Sequence, residues 1–207
     1  MTNVRTAMVA QAEWAIAHEP SIHYADINDP KVRPMPLDAF KAHKLPLDTD
    51  CSGLVTCIAY AAGVKPDPNG QSYNGQGFTG TLLQHCEHIT KHDAKAGDFV
   101  AYGPFPGEHV VMLLEDGTVA DPFVVSHGQE AGPIKIRASA EAKAHNSPAT
   151  YLRSTEVVST RYVWDIRDGR NELIAKGVKH PVRWCLAHPK QFRKHGLLSF
   201  RRRSIAV

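Results

Sequence analysis

Residues 51–62 carry the pattern that most constrains the fold of this 207-residue chain. Apolar side chains recur there at helical spacing, which predicts a helix with one buried face. They are Leu54, Val55, Ile58, Ala59 and Ala62. Residues 48–50 supply capping and acidic side chains just upstream, and Gly63 fits a helix C-cap. The sequence therefore predicts a well-defined helix whose first residue is Cys51.

The segments downstream of this helix predict an antiparallel sheet. Short apolar runs begin near Phe99, His109, Phe123 and Pro133, and turn-length segments separate them. Strands joined by such short connections pair as an antiparallel meander, since parallel strands need long crossovers. A further helix is predicted over residues 6–18. The fold class is therefore predicted to be α+β, with the cysteine-bearing helix packed on the sheet.

Charge divides the chain unevenly and suggests a separate C-terminal segment. Residues 161–207 have a net charge of +9, whereas residues 1–160 have a net charge of −6. We predict a main domain over 1–140, a linker or helix over 141–160, and a small basic extension over 161–207. The extension is predicted to hold a hairpin and a short helix. Its positive charge favours binding to an acidic partner such as a cell-wall polymer, nucleic acid or another protein. The alternative is that the extension is simply a solvated tail.

Several classes of protein are disfavoured by simple patterns. No run of 18 apolar residues is present, so no membrane span is predicted. The N-terminus lacks the basic and long apolar regions of a secretory signal. The four cysteines, Cys51, Cys57, Cys86 and Cys185, form no C-x-x-C pair, which disfavours zinc ribbons and thioredoxin-like motifs.

Cys51 is the strongest candidate for chemistry. A cysteine acts as a nucleophile through its thiolate, which a helix N-terminus and a nearby imidazolium both favour. Ser52 and Gly53 are small, so a substrate backbone can approach the sulfur. The backbone N–H of Cys51 can help to bind an oxyanion.

The second candidate is a histidine at the start of a strand. His109 opens an apolar run directly after the turn at residues 103–107, so its side chain can point toward a neighbouring helix end. We predict that His127, on or beside the next strand, orients His109 through its second ring nitrogen. Asp121 and Gln129 are the alternatives for this third position.

Four segments, taken together, resemble the NlpC/P60 cell-wall peptidases. Residues 50–55, DCSGLV, resemble the nucleophile motif of that family. Residues 96–100, AGDFV, resemble its PGD strand entry, with alanine in place of proline. Residues 109–114, HVVMLL, resemble its catalytic-histidine strand, and residues 125–128, VSHG, resemble the site of its third polar residue. The YVWGG element that often precedes the cysteine is absent.

The resemblance implies a papain-like fold and a thiol mechanism that needs no metal or cofactor. It implies hydrolysis of peptidoglycan stem peptides, commonly between D-glutamate and diaminopimelate. Tyr24 is similar to a family tyrosine near the oxyanion site, although a purely packed tyrosine is the alternative. Asp50 and Ser52, which flank the nucleophile, are predicted to bind the free amine or amide of the stem peptide.

Two stretches, the second of them C-terminal, look more like versions carried by phages of actinobacteria. They are residues 126–133 and 179–193. The expected localisation is the cytoplasm of a host, with action at the wall after release as an endolysin or within a virion. Peptidoglycan is the expected partner, with other phage tail proteins through the basic extension, and nucleic acid is not expected. The alternatives are a structural tail-tip protein, or an amidase or acyltransferase on the same fold.

Overall fold

We describe the protein from a computed structural model that covers residues 4–26, 28–29, 31–128, 130–154, 161–167, 173–178 and 199–205. The chain divides into two compact units, residues 1–156 and 157–207. No helix within the described residues is long and apolar enough to cross a membrane.

The first unit contains five α-helices, one short 3-10 helix (Glu19–Ser21) and eight strands in its described residues. The α-helices are α1 (Val4–Ala17), α2 (Leu37–Lys41), α3 (Cys51–Ala62), α4 (Thr79–His85) and α5 (Ala138–His145). The strands are β1 (Ile22–Tyr24), β2 (Leu47–Thr49), β3 (Glu87–Ile89), β4 (Phe99–Tyr102), β5 (His109–Leu113), β6 (Phe123–Ser126), β7 (Ile134–Arg137) and β8 (Ala149–Arg153).

Helix α3 begins and ends where its sequence predicts. The side chain of Asp50 accepts a hydrogen bond from the Gly53 backbone N–H, which satisfies one of the free donors of the first turn. Gly63 ends the helix in the left-handed conformation, with φ 81°, which glycine adopts without a steric penalty. The first nine residues of α3 are all buried, so this helix lies in the centre of the unit.

Six strands form one antiparallel sheet in the order β3-β8-β4-β5-β6-β7. Strands β4 to β7 are the predicted meander, so the α+β class and the antiparallel sheet are confirmed. Strand β5 is buried along its whole length. One face of the sheet packs against α1 and α3, and the other face packs against α5. The middle of the sheet is therefore covered on both sides.

The segment 141–160, predicted as a linker or helix, contributes directly to this sheet. Residues 141–145 complete α5, and β8 then pairs with both β3 and β4. The five residues of β8, ATYLR, do not alternate regularly and are too few to identify a strand, and its partner strands are distant in sequence. The proposed division at residue 140 remains a prediction.

The second unit contains three described strands. They are β9 (Arg161–Arg167), β10 (Leu173–Val178) and β11 (Ser199–Ile205). Strand β9 pairs antiparallel with both of the others. The helical turn predicted near residues 190–195 lies outside the described residues.

A buried carboxylate forms ion pairs and hydrogen bonds with residues from several elements. Asp98, at the entry to β4, is only 1% exposed. Its carboxylate lies 2.7 Å from Nη1 of Arg5 on α1 and 2.8 Å from Nη2 of Arg153 on β8. It also accepts a hydrogen bond from the Lys95 backbone N–H. Asp98 therefore joins an N-terminal helix to strands from the middle and end of the unit.

We expect Asp98→Asn to lower the free energy of unfolding by about 3 kcal/mol, because two charge-assisted contacts to a buried group are lost. Urea unfolding followed by circular dichroism measures this change. Glu13→Gln removes one partner of an exposed ion pair with Lys135, 3.1 Å apart, and provides the control. It should cost less than about 1 kcal/mol. Equal effects of the two substitutions would contradict the role given to Asp98.

Candidate active site

Cys51 occupies the first position of α3 and lines a cavity of about 200 Å³. Tyr24, Thr79 and Glu108 are among the other residues of this cavity. Because the first N–H groups of a helix have no partner within it, the backbone at Cys51 presents donors near the sulfur. The helix end also favours negative charge at this position. The sulfur is thus placed where it can meet a substrate in the cavity.

His109, the first residue of β5, lies between this cysteine and a carboxylate from the other side of the sheet. Cys51 is close enough to raise the pKa of His109, and the His109 Nε2 lies 3.0 Å from Oε1 of Glu141. Since Glu141 engages Nε2, Nδ1 is the nitrogen left to meet the thiol. Burial alone would lower the pKa of His109, but the contacts with Cys51 and Glu141 outweigh it and raise the pKa to about 9.

Glu141 comes from α5 and is buried beside His109. Burial would raise the pKa of this carboxyl, but the hydrogen bond and positive charge of His109 lower it below its ordinary value. Ser126 Oγ donates to Glu141 Oε1 over 3.0 Å and lies 3.2 Å from His109 Nε2. Glu141 is therefore held ionised against the imidazole, with Ser126 fixing its position.

The described side-chain contacts of His127 are with residues other than His109, and its predicted orienting role remains a prediction. Its Nε2 donates to the Thr49 carbonyl oxygen over 3.1 Å, and its ring packs edge-on against Tyr24. Burial lowers the pKa of His127, which favours the neutral ring. Successive residues of a strand point to opposite faces, so it is Ser126 that points to His109 and His127 that points away.

The two alternatives for the third position are placed as follows. The carboxylate of Asp121 accepts hydrogen bonds from the backbone N–H and the hydroxyl of Ser139, at the start of α5. Asp121 therefore supports the helix that carries Glu141, rather than the imidazole itself. Gln129 lies outside the described residues.

Asp50 and Ser52 line the cysteine cavity, but their polar atoms have protein partners. Arg33 Nη2 lies 2.9 Å from Asp50 Oδ2 and 3.1 Å from Ser52 Oγ, and the Ser52 hydroxyl donates to Asp50 Oδ1. Arg33 is itself held by the Gly77 carbonyl oxygen, 2.8 Å from Nη2. This network rigidifies the start of α3, and the predicted binding of a substrate amine by Asp50 and Ser52 remains a prediction.

Tyr24 reaches the cavity because β1 pairs in parallel with β2. In that pairing Tyr24 lies opposite Thr49, two residues before Cys51. The tyrosine is 38% exposed and lines the same cavity as the sulfur. Burial, followed by the negative charge of a Cys51 thiolate, raises its pKa to about 12. Its hydroxyl therefore keeps its proton as a potential donor, and its oxyanion role remains a prediction.

Sequence reasoning did not find Glu141, His145 or Arg33. Glu141 and His145 have i,i+4 spacing in a polar, alanine-rich segment, and that pairing was the one available signal. Arg33 lies in an irregular insert, where no pattern predicts its contacts. The ligand atoms of His109, Glu141 and His145 lie within 4.8 Å of one another, but the two imidazole rings stack nearly parallel at 4.5 Å, an arrangement that does not fit a metal ion.

The thiol, imidazole and carboxylate form a series in which each group acts on the next. The carboxylate stabilises the imidazolium, and the imidazolium stabilises the thiolate and can return a proton. Such an arrangement is suited to acyl transfer through a thioester.

Comparison with known proteins gives a short but relevant similarity. The chain is 34% identical over 73 residues to "Peptidoglycan endopeptidase RipB" of Mycobacterium tuberculosis, in both strain CDC 1551 / Oshkosh and strain ATCC 25618 / H37Rv. The matched stretch covers 35% of this chain and 26% of those relatives, so the chain spans about a quarter of their length. No family model matches the chain.

We expect Glu141→Gln to lower the pKa of His109, because the amide carries no charge to stabilise the imidazolium. In the native protein the ring should lose its proton as the pH rises through about 9. In the variant this loss should begin at lower pH, and any activity that needs the imidazolium should fall over the same range. Histidine NMR titration measures the pKa directly.

Glu115→Gln is the matched control, since Glu115 lies beyond the far end of β5. It should leave the His109 titration in place. A native-like titration in Glu141→Gln would show that Glu141 is merely structural.

Proposed function

We propose that this protein is a peptidoglycan hydrolase, a cysteine endopeptidase of the NlpC/P60 type with a papain-like fold. The single observation that carries the proposal is the series Cys51–His109–Glu141, with the sulfur lining a cavity. The similarity to a peptidoglycan endopeptidase supports the choice of substrate over other peptides. The four sequence motifs that resemble NlpC/P60 enzymes support the same choice.

In the proposed reaction the Cys51 thiolate attacks the carbonyl carbon of a stem-peptide amide. The oxyanion is held by the Cys51 backbone N–H and by a second donor, for which we propose Tyr24. His109 then gives its Nδ1 proton to the leaving amine as the C–N bond breaks. Water, activated by the neutral imidazole, resolves the thioester and restores the thiol.

The bond that we propose is the one between D-glutamate and diaminopimelate. Resemblance to the family supports this choice. Digestion of purified walls followed by mass spectrometry of the released fragments tests it. Fragments with a new amino terminus on diaminopimelate are expected, whereas cleavage between sugar and peptide would identify an amidase instead.

The basic charge of residues 161–207 favours a second role in docking. A net charge of +9 suits contact with an anionic wall polymer or with phage tail proteins, as the phage-like stretches predict. A tail-tip protein that uses the fold only for docking would bind walls without releasing fragments. An acyltransferase would form the same thioester but pass it to an amine rather than to water.

We expect Cys51→Ala to reduce wall hydrolysis by at least about 1,000-fold, because no other group in the site can form the thioester. Turbidity loss of purified walls and counting of released amino termini both measure the effect. Cys86→Ala is the control, since this thiol is buried and burial raises its pKa to about 12. That variant should keep activity within a few fold of the native protein.

Undiminished lysis by Cys51→Ala would end the proposed mechanism. If the native protein binds walls but releases no peptide fragments, the result supports the docking role instead.

A further inference from the structure

A second imidazole ring contacts the carboxylate that serves His109. Oε1 of Glu141 lies 3.0 Å from Nε2 of His109 and 3.3 Å from Nε2 of His145. An ionised carboxylate oxygen only accepts hydrogen bonds, so a ring nitrogen that lies against it acts as a donor. The contact with His145 therefore contributes to the orientation of the carboxylate that faces His109.

The ring of His145 also stacks on the His109 imidazole. The two ring centroids are 4.5 Å apart and the ring planes differ by 13°. Tyr102, which lies opposite His109 in the pairing of β4 with β5, stacks on His145 at 5.3 Å and 14°. Rotation of the His109 ring about its Cβ–Cγ bond would break this stacking, so the stack favours a single plane for the imidazole.

The backbone around His145 fixes where its ring lies. His145 is the last residue of α5, and Ser147 Oγ, two residues later, donates to Glu108 Oε2 over 2.9 Å. The Gly103 backbone N–H donates to the Pro148 carbonyl oxygen over 3.1 Å. The chain after α5 is therefore bonded both to the residue before β5 and to the turn between β4 and β5, which keeps the two imidazole rings together.

His145 is the most exposed member of this group. Its side chain is 27% exposed, against 3% for His109 and 5% for Glu141, and all three line a cavity of about 300 Å³. Without the His145 ring, water in the cavity could reach the carboxylate and compete with His109 for its oxygens. The exposed ring therefore protects a contact that the buried pair needs.

We propose that His145 is a positioning residue, whose ring sets the plane of the His109 imidazole and whose Nε2 holds Oε1 of Glu141 in place. Nδ1 of His109 then stays directed at the sulfur of Cys51. No bond forms or breaks at His145, and no proton passes through it. The effect on wall hydrolysis rests on the proposed function, whereas the effect on the reactivity of the thiol does not.

Three substitutions in the full chain separate the two contacts of His145. His145→Phe keeps an aromatic ring for stacking but removes the nitrogen, His145→Gln keeps an N–H donor but removes the ring, and His145→Ala removes both. Lys143→Ala, at an exposed position of the same helix, is the matched control and should behave as the native chain. Circular dichroism checks that each variant is folded.

Alkylation of Cys51 by iodoacetamide, followed by mass spectrometry of the peptide that contains it, measures the thiolate without any substrate. At about pH 7 we expect His145→Ala to slow this alkylation about tenfold, because a misplaced imidazolium stabilises the thiolate less. Above about pH 10 a thiol ionises without help, so the rates of the variant and the native chain should converge. Equal rates at about pH 7, or a deficit that is the same at every pH, would overturn the proposal.

Hydrolysis of purified walls gives an independent arm. We expect His145→Ala to lower the maximal rate about 100-fold, because a general base that is displaced by a fraction of its reach loses most of its effect. The half-saturating wall concentration should stay within about twofold, since His145 does not line the cysteine cavity. His145→Phe and His145→Gln should each recover at least about threefold of the lost rate.

The outcomes of the two arms separate the proposals. A raised half-saturating concentration with an unchanged maximal rate would make His145 a substrate-binding residue and overturn the positioning role, as would no recovery by either conservative variant. If alkylation changes as expected but the native chain cleaves no wall, the proposed function fails and the positioning role stands.

Discussion

The start of helix α3 depends on one buried carboxylate. Asp50 accepts the Gly53 N–H, accepts the Ser52 hydroxyl and pairs with Arg33, so three kinds of contact converge on two oxygens. A charged cap of this kind fixes both the first residue of the helix and its direction. The position of the Cys51 sulfur follows from it, because Cys51 is the next residue. Without that constraint the first turn would fray and the cavity would lose its nucleophile.

The second constraint is the position of His109, which is accessible to groups from the layers on both faces of the sheet. The cysteine belongs to the layer of α1 and α3, and Glu141 belongs to the layer of α5. A histidine at a strand mouth can present one nitrogen to each layer. The site is thus built across the sheet rather than on one side of it, and β5 must be apolar on both faces to hold the histidine in place.

Much of this arrangement was predictable from local signals. The bounds of α3 follow from an acidic cap, helical periodicity and a terminal glycine, and the start of β5 follows from a turn before an apolar run. The third group was not predictable in the same way. Its identity depends on which residue of β6 faces His109, and shifting the alternation of that strand by one residue would change the answer. It also depends on α5, which contributes Glu141 from the opposite face of the sheet.

There is a physical reason why the sequence did not predict the role of Glu141. Helix α5 alternates alanine with polar residues, so amphipathic periodicity there is weak, and only tertiary contacts reveal its buried face. Arg33 presents the same difficulty, since its partners Asp50 and Gly77 are distant in sequence. Long-range polar contacts leave almost no trace in a single sequence.

The members of the proposed site are far apart along the chain, which determines when the site can assemble during synthesis. During synthesis from the N-terminus, α3 leaves the ribosome with its cysteine 90 residues before Glu141. Strand β8, which pairs with β4 in the sheet interior, is made later still. The nascent chain therefore carries the Cys51 thiol before Glu141 is made, and the proposed site is complete only when the last strand of the first unit is in place.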